Sequence, residues 1–108
     1  MNDKADPNIC FKGASPLHAA SLHGHTEIVE LLLNNKADPN ICFKRESPVY
    51  IASDDGHTEI VELLLNNKAD PNICFKGQSP LYTASRHGHT ENVKLLLNNK
   101  ADPDICFK

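Results

Sequence analysis

The sequence predicts an all-α repeat solenoid: stacked helix-turn-helix units with short β-hairpin fingers between them. The first observation is repetition, because SPLHAASLHGHTEIVELLLNNKADPNICFK from Ser15 returns in close copies from Ser47 and Ser79, a period of 32 residues. Such a period is typical of stacked repeat arrays. The second observation is that TEIVELLLN is apolar around most of a helix, so that this helix needs neighbours in adjacent units.

The 108 residues form a single predicted domain of three units, at 13–44, 45–76 and 77–108, after a partial unit tail at 1–12. Burying five large apolar side chains per unit contributes about 1.5–3 kcal/mol each. Ordering a unit costs roughly 1.5 kcal/mol per residue, so one unit is not expected to fold alone. Both ends are expected to be cuts through a longer array or engineered boundaries.

Local signals set the helix limits within a unit. Ser15 followed by Pro16 predicts the start of a short helix, since serine caps free N–H groups and proline suits the first helical position. Gly24 predicts the end of that helix, and Thr26 opens the second one. Polar capping repeats, which such arrays usually need, are not evident, although Asn92 in place of Ile28 and Lys94 in place of Glu30 form a weak polar cap in the third unit. After each second helix, ICFK alternates like a hairpin arm.

Composition excludes several classes of function. The chain has 11 basic and 14 acidic residues, a net charge of -3 and no basic run, which argues against nucleic acid as a partner. Its longest apolar runs are leucine triplets and its mean hydropathy is -0.41, so neither a membrane span nor a signal peptide is expected. We expect an intracellular chain, in the cytoplasm or the nucleus.

The four cysteines occupy one equivalent position in successive units: Cys10, Cys42, Cys74 and Cys106. Packed helices are about 8–10 Å apart, which exceeds the roughly 7 Å limit on the Cα separation across a disulfide. Free cysteines are therefore expected, as in a reducing compartment.

The stretch SPLHAASLHGHTEIVELLLNNKADPN resembles the ankyrin repeat, whose pattern combines TPLH, an alanine pair, GH, an apolar helix ending in LLL, and ADVN. The resemblance implies paired antiparallel helices, projecting hairpin fingers and a non-enzymatic role in binding proteins. Several features depart from the family: the period is 32 rather than 33, the TPLH histidine is kept only at His18, and Lys36, Lys68 and Lys100 stand where glycine is usual. A left-handed backbone there would cost each lysine about 1–2 kcal/mol.

The units differ from one another mainly between the finger and the GH pair, whereas the second helix and ADPN change little. The alternative to a binding surface is neutral drift, which would also have scattered the exposed Glu27 and Asn34 positions. Exposed variable positions on repeat scaffolds are where partners bind, and the resemblance places several of these residues in a concave groove. The predicted partner-binding residues are Ala14, Leu22, His23, Arg45, Glu46, Tyr50, Asp54, Asp55, Gln78, Tyr82, Arg86 and His87, together with Phe43 and Phe75 of the fingers.

Those two phenylalanines belong to a predicted aromatic ladder with Phe11 and Phe107. Two interpretations stay open: the rings pack on one another, or they form an exposed apolar strip for a partner.

The sequence offers little support for catalysis or metal binding. HGH and DGH suggest metal ligands, but a tetrahedral site needs about four convergent side chains, and the resemblance assigns the GH histidines a structural role. No catalytic motif is present, so we expect no enzyme, no metal and no cofactor. The resemblance also suggests that Asn40 or Asn72 is a site of asparagine hydroxylation.

The preferred function is therefore binding of a protein or peptide through the concave groove and the fingers. The alternative is a structural spacer or a self-assembling array, without a discrete ligand, that associates end to end.

Overall fold

The computed structural model describes residues 6–10, 14–40 and 46–105. These residues form six helices in three pairs and, within those ranges, no β-strand. The helices are α1 (Pro16–Leu22), α2 (Thr26–Asn34), α3 (Pro48–Asp55), α4 (Thr58–Asn66), α5 (Pro80–Arg86) and α6 (Thr90–Asn98). We refer to α1–α2, α3–α4 and α5–α6 as the first, second and third helix pairs.

Each short helix begins as the sequence predicts. Ser15, Ser47 and Ser79 are extended N-cap residues whose hydroxyl oxygens accept the backbone N–H three residues later, and a proline follows each serine. At α1 the His18 ring also accepts a hydrogen bond from the backbone N–H of Ser15, at 3.1 Å. This completes a reciprocal cap in which both free N–H groups are satisfied.

Each long helix ends at a left-handed residue, and that residue is a lysine. Lys36, Lys68 and Lys100 have φ values of 72°, 73° and 73°. After α2 the backbone N–H of Ala37 donates to the carbonyl of Leu32 at 3.0 Å, the pattern that closes a helix around a left-handed residue. The left-handed backbone considered for these three lysines, which stand where glycine is usual, is thus confirmed.

The helices pack in two layers. The short helices α1, α3 and α5 contact one another in order, and so do the long helices α2, α4 and α6. The stack measures 47 × 24 × 21 Å. Its core lies between the layers and includes the buried residues Leu17, Val29, Val49, Ile60, Val61, Leu64, Ala84 and Leu96. No helix in the described ranges is both long enough and apolar enough to cross a membrane.

The β-hairpin fingers are not confirmed. Between α4 and α5 a single antiparallel bridge joins Phe75 to Gln78, with N–H to carbonyl distances of 2.9 and 3.0 Å. Lys76 and Gly77 both have positive φ values, 52° and 78°, as in the type I′ turns that close two-residue hairpins. The predicted finger of this connection is therefore one bridge closed by a tight turn. The corresponding residues 41–45 lie outside the described part.

The prediction of free cysteines is wrong for both cysteines that the structure describes. Cys10 and Cys74 are disulfide-bonded, while Cys42 and Cys106 lie outside the described residues. These two cysteines lie in connecting segments, where the spacing of packed helices does not set the distance between backbones. Since disulfides are typical of oxidising compartments, the cysteines no longer support an intracellular location.

Asn92 also departs from its prediction. It is fully buried in α6 rather than part of a polar outer face, and neither its amide nitrogen nor its amide oxygen has a hydrogen-bond partner among the described residues. The equivalent Ile60 of α4 is 1% exposed and Ile28 of α2 is 46% exposed. This position therefore faces the preceding helix pair, and Asn92 is enclosed between α4 and α6.

Candidate interaction surface

The variable positions gather on one side of the stack, which we call the short-helix face. It comprises the residue before each N-cap serine and the last residues of each short helix with its cap. Its described members are Ala14, Leu22, His23, Glu46, Asp54, Asp55, Gln78, Arg86 and His87, all at least partly exposed. Of the other predicted residues, Tyr82 is exposed and Tyr50 is buried, and Arg45 and Phe43 lie outside the described residues.

Between α1 and α3 this face is open. A cavity of about 220 Å³ lies there, lined by Ala14, His18, Ala19, Leu22, His23, Glu46 and Ile51. A smaller cavity of about 50 Å³ adjoins it, because Leu22, Glu46 and Ile51 also line that one, together with Tyr50, Asp54 and Asp55. The walls are apolar around Leu22 and Ile51 and acidic at Glu46.

Between α3 and α5 side chains of the two helices hydrogen-bond to each other. Asp54 accepts a hydrogen bond from the hydroxyl of Thr83 and another from Nε2 of His87, the latter at 3.0 Å. In the sequence Thr83 takes the place that Ile51 has at the first junction, and Asp54 the place of Leu22. Two equivalent junctions thus carry different chemistry, one apolar and one polar.

Tyr50 supports this surface from within. Its hydroxyl donates to Oε1 of Gln78 at 2.9 Å, and its ring meets that of Phe75 edge-on with 5.7 Å between centroids. Burial raises the pKa of the Tyr50 phenol above its usual value of 10.0, and the nearby carboxylates of Asp54 and Glu46 act in the same direction. Tyr50 therefore joins the second pair to the third.

The predicted aromatic ladder can be followed only at Phe75, since Phe11, Phe43 and Phe107 lie outside the described residues. Phe75 is half-buried, and Nζ of Lys76 lies 5.3 Å from its ring centroid. Among the described residues its ring contacts that of Tyr50, and the packing of the phenylalanines on one another stays a prediction.

The GH histidines have structural contacts in the later pairs. Nε2 of His89 donates to the backbone carbonyl of Asp54 at 3.2 Å, which joins the third pair to the second. The His57 ring covers Gly24, and the His89 ring covers Gly56, so closely that a Cβ at either glycine would lie under 3.0 Å from the ring. Within the described ranges no three His, Cys, Asp or Glu side chains converge as metal ligands would.

A row of asparagines joins successive units, and sequence reasoning missed this role. The side-chain oxygens of Asn8, Asn40 and Asn72 accept hydrogen bonds of 2.7–2.9 Å from the backbone N–H groups of Asp38, Asp70 and Asp102. The signal was present in the ADPN tetrapeptide, whose exact recurrence indicates a contact between repeats. The two asparagines considered for hydroxylation, Asn40 and Asn72, belong to this row.

The two outer surfaces of the stack carry exposed apolar side chains. Leu97 is 47% exposed although the equivalent Leu65 is 6% exposed, and Tyr82 is 52% exposed although Tyr50 is 8% exposed. At the other surface Ile28 and Leu31 are exposed, while their equivalent Ile60 is buried and Leu63 is half-buried. These are the positions that contact a neighbouring pair inside the stack.

Paired helices in two layers, with a variable face on the short helices, define a helical repeat protein. Comparison with protein families identifies which kind. The family described as "Ankyrin repeats (3 copies)" matches residues 35–105, and the single "Ankyrin repeat" matches residues 12–44. The chain therefore belongs to the ankyrin-repeat family, whose members are generally non-enzymatic modules for protein–protein interaction. A search of curated proteins found no significant match.

Proposed function

We propose that the chain binds a protein or peptide segment through its short-helix face, with the fingers at the edge of the site. The observation that carries this proposal is the distribution of differences among near-identical units. The differing residues Leu22, Asp54 and Arg86 share one exposed position, and their chemistry changes from apolar to acidic to basic. A surface built in this way would contact different groups of one extended partner.

The predicted partner-binding residues have different roles in this proposal. Exposed and half-buried members of the face contact the partner directly, and Arg45, Phe43 and Phe75 contribute from the fingers. Tyr50 acts through the position of Gln78 and Phe75. The boundaries of the three units, at 13–44, 45–76 and 77–108, and the intracellular location remain predictions, and the location is now without the support of free thiols.

A displayed library of random peptides, selected on the immobilised protein, tests this function. We expect selected peptides to lose binding to a variant of the face but to keep it for a variant of the long helices. The face variant combines His23→Ala, Glu46→Ala and Arg86→Ala, and the matched control combines Glu27→Ala, Glu59→Ala and Glu62→Ala. All six side chains are at least partly exposed, so neither variant should unfold. Equal loss in both variants, or no enrichment, contradicts the proposal.

A second candidate function is assembly, either as a spacer or by end-to-end self-association. The exposed outer surfaces favour this function. Leu65 and Tyr50 of the second pair are buried beside the third pair, whereas their equivalents on the third pair, Leu97 and Tyr82, are exposed. Stacking Ile28 of a second copy against them would repeat the packing found inside the chain, in an arrangement that does not close.

Light scattering across a concentration series tests assembly. We expect the mass to grow with concentration for the unchanged protein and to stay near 11.9 kDa for Leu97→Glu. The matched control is Asn98→Glu, at an exposed neighbour, which should behave like the unchanged protein. A constant monomer mass at every concentration contradicts assembly and leaves peptide binding unaffected.

A further inference from the structure

The open junction between α1 and α3 differs in chemistry from the hydrogen-bonded one between α3 and α5, although the two occupy equivalent places in the repeat. We propose that this junction, built from Ala19, Leu22, Glu46 and Ile51, is a pocket for one apolar side chain next to a lysine or arginine in a peptide. This inference rests on the proposed function and names the chemistry of its ligand.

The volume of the pocket indicates the size of what it holds. Ligand sites for small molecules are typically about 300–1,000 Å³, which exceeds the 220 Å³ between α1 and α3. A cavity of roughly 150 Å³ accommodates benzene. The pocket is thus suited to a single side chain of the size of leucine or phenylalanine, rather than to a whole metabolite.

The charge around the pocket selects the neighbour of that side chain. Glu46 lines both adjoining cavities, and Asp54 and Asp55 line the smaller one. Asp54 is engaged with Thr83 and His87, and Asp55 lies 4.0 Å from His57. Among the residues that the structure describes, Glu46 forms no ion pair, and no lysine or arginine of those ranges lines either cavity. A cationic group beside the anchor would neutralise this carboxylate, whereas an acidic one would be repelled.

The second junction shows which residues make the difference. There Asp54 and Thr83 replace Leu22 and Ile51 and hydrogen-bond to each other across the helices. Leu22→Asp with Ile51→Thr should therefore convert the open apolar junction into a polar one. Because both residues already occur at the equivalent places of the same scaffold, this variant should still fold.

The test uses peptides selected from the random library and then synthesised, with affinity measured by fluorescence anisotropy. We expect them to combine an apolar residue with an adjacent Lys or Arg. Glu46→Gln should weaken binding about tenfold, as for a hydrogen bond to a charged group, and the Leu22→Asp, Ile51→Thr variant should weaken it at least about tenfold. Glu59→Gln, on an exposed part of α4, is the control and should change nothing.

A double-mutant cycle makes the assignment specific. Replacing the basic residue of the peptide by glutamine should cost the same factor as Glu46→Gln, and the two changes together should cost little more than either alone. Peptides that bind the short-helix face without a basic residue, or that ignore Glu46→Gln, overturn this inference but leave the proposed function intact. A library that yields no binders overturns both.

Discussion

The side-chain oxygen of Asn40 accepts a hydrogen bond of 2.9 Å from the backbone N–H of Asp70, 30 residues further along the chain. The same contact links Asn8 to Asp38 and Asn72 to Asp102. Asn40 and Asn72 therefore each tie the segment after one long helix to the segment after the next, and Asn8 ties the segment before α1 to the segment after α2. Each contact joins a side chain to a backbone N–H, so it depends on one side chain per unit.

Replacing Asn40 by alanine should lower the free energy of unfolding by about 0.5–1.5 kcal/mol, the usual contribution of one hydrogen bond. Asp104 holds the equivalent position in the third unit and supplies a matched control, since Asp104→Ala removes no such contact described here. Urea unfolding followed by circular dichroism measures both. Equal losses for the two variants would show that the asparagine row does not stabilise the stack.

Asn92→Ile should make the protein more stable by about 1–3 kcal/mol, because it removes two buried polar atoms without partners and restores apolar packing between α4 and α6. The equivalent isoleucine at position 60 shows that the side chain fits such a place. Asn98→Ile, on an exposed part of the same helix, should change stability by less than about 0.5 kcal/mol. The thermal unfolding temperatures of the two variants, measured in parallel, test this. A destabilised Asn92→Ile would mean that the amide has partners outside the described residues.

Lys68→Gly should stabilise the protein by about 1 kcal/mol. At a φ of 73° a lysine bears the left-handed penalty of roughly 1–2 kcal/mol, and the greater freedom of glycine in the unfolded chain offsets part of the gain. Lys94→Gly, in the interior of α6, should instead destabilise by about 1 kcal/mol. The midpoints of urea unfolding show whether each variant is more or less stable than the unchanged protein. A loss of stability in Lys68→Gly would show that the left-handed lysine is not strained.

Gly56→Ala should cost more than Gly88→Ala, although both glycines have left-handed φ values, 77° and 73°. A Cβ at Gly56 would lie 2.8 Å from Cε1 of His89, whereas one at Gly88 meets nothing within 4 Å. Displacing the His89 ring also breaks its hydrogen bond to Asp54, so the difference should be about 0.5–1.5 kcal/mol. The unfolding free energies of the two variants give this difference directly. Equal values would show that the contact between Gly56 and the His89 ring does not contribute to stability.

The raised pKa of Tyr50 makes stability depend on alkaline pH. The folded state favours the neutral phenol, so the stabilisation is complete below the unfolded value near 10.0 and is lost as the pH rises through the higher folded value. Between about pH 8 and about pH 11 the unchanged protein should lose more unfolding free energy than Tyr50→Phe. Urea titrations at each pH provide the measurement. Parallel losses in both proteins would show that Tyr50 ionises as freely as in the unfolded chain.

Local features were predictable from the sequence, and contacts between units were predictable only in part. The Ser–Pro starts and the glycine at position 24 act within four or five residues, so their structural effect follows from the sequence alone. The disulfide bonds of Cys10 and Cys74 did not follow, because the distances between connecting segments depend on how loops lie rather than on helix spacing. The apolar pattern of the second helix does predict neighbours in adjacent units, but it does not reveal that Asn92 is buried without a described hydrogen-bond partner.

The central helix pair has neighbours on both sides, whereas the first and third each present an uncovered apolar surface in the described stack. In such arrays each unit depends on its own stability and on its immediate neighbours. The third pair also contains the buried amide of Asn92. We therefore expect opening of the native stack to begin at α5 and α6 and the amide hydrogens of α4 to exchange most slowly with solvent, so that the stack loosens from one end rather than all at once.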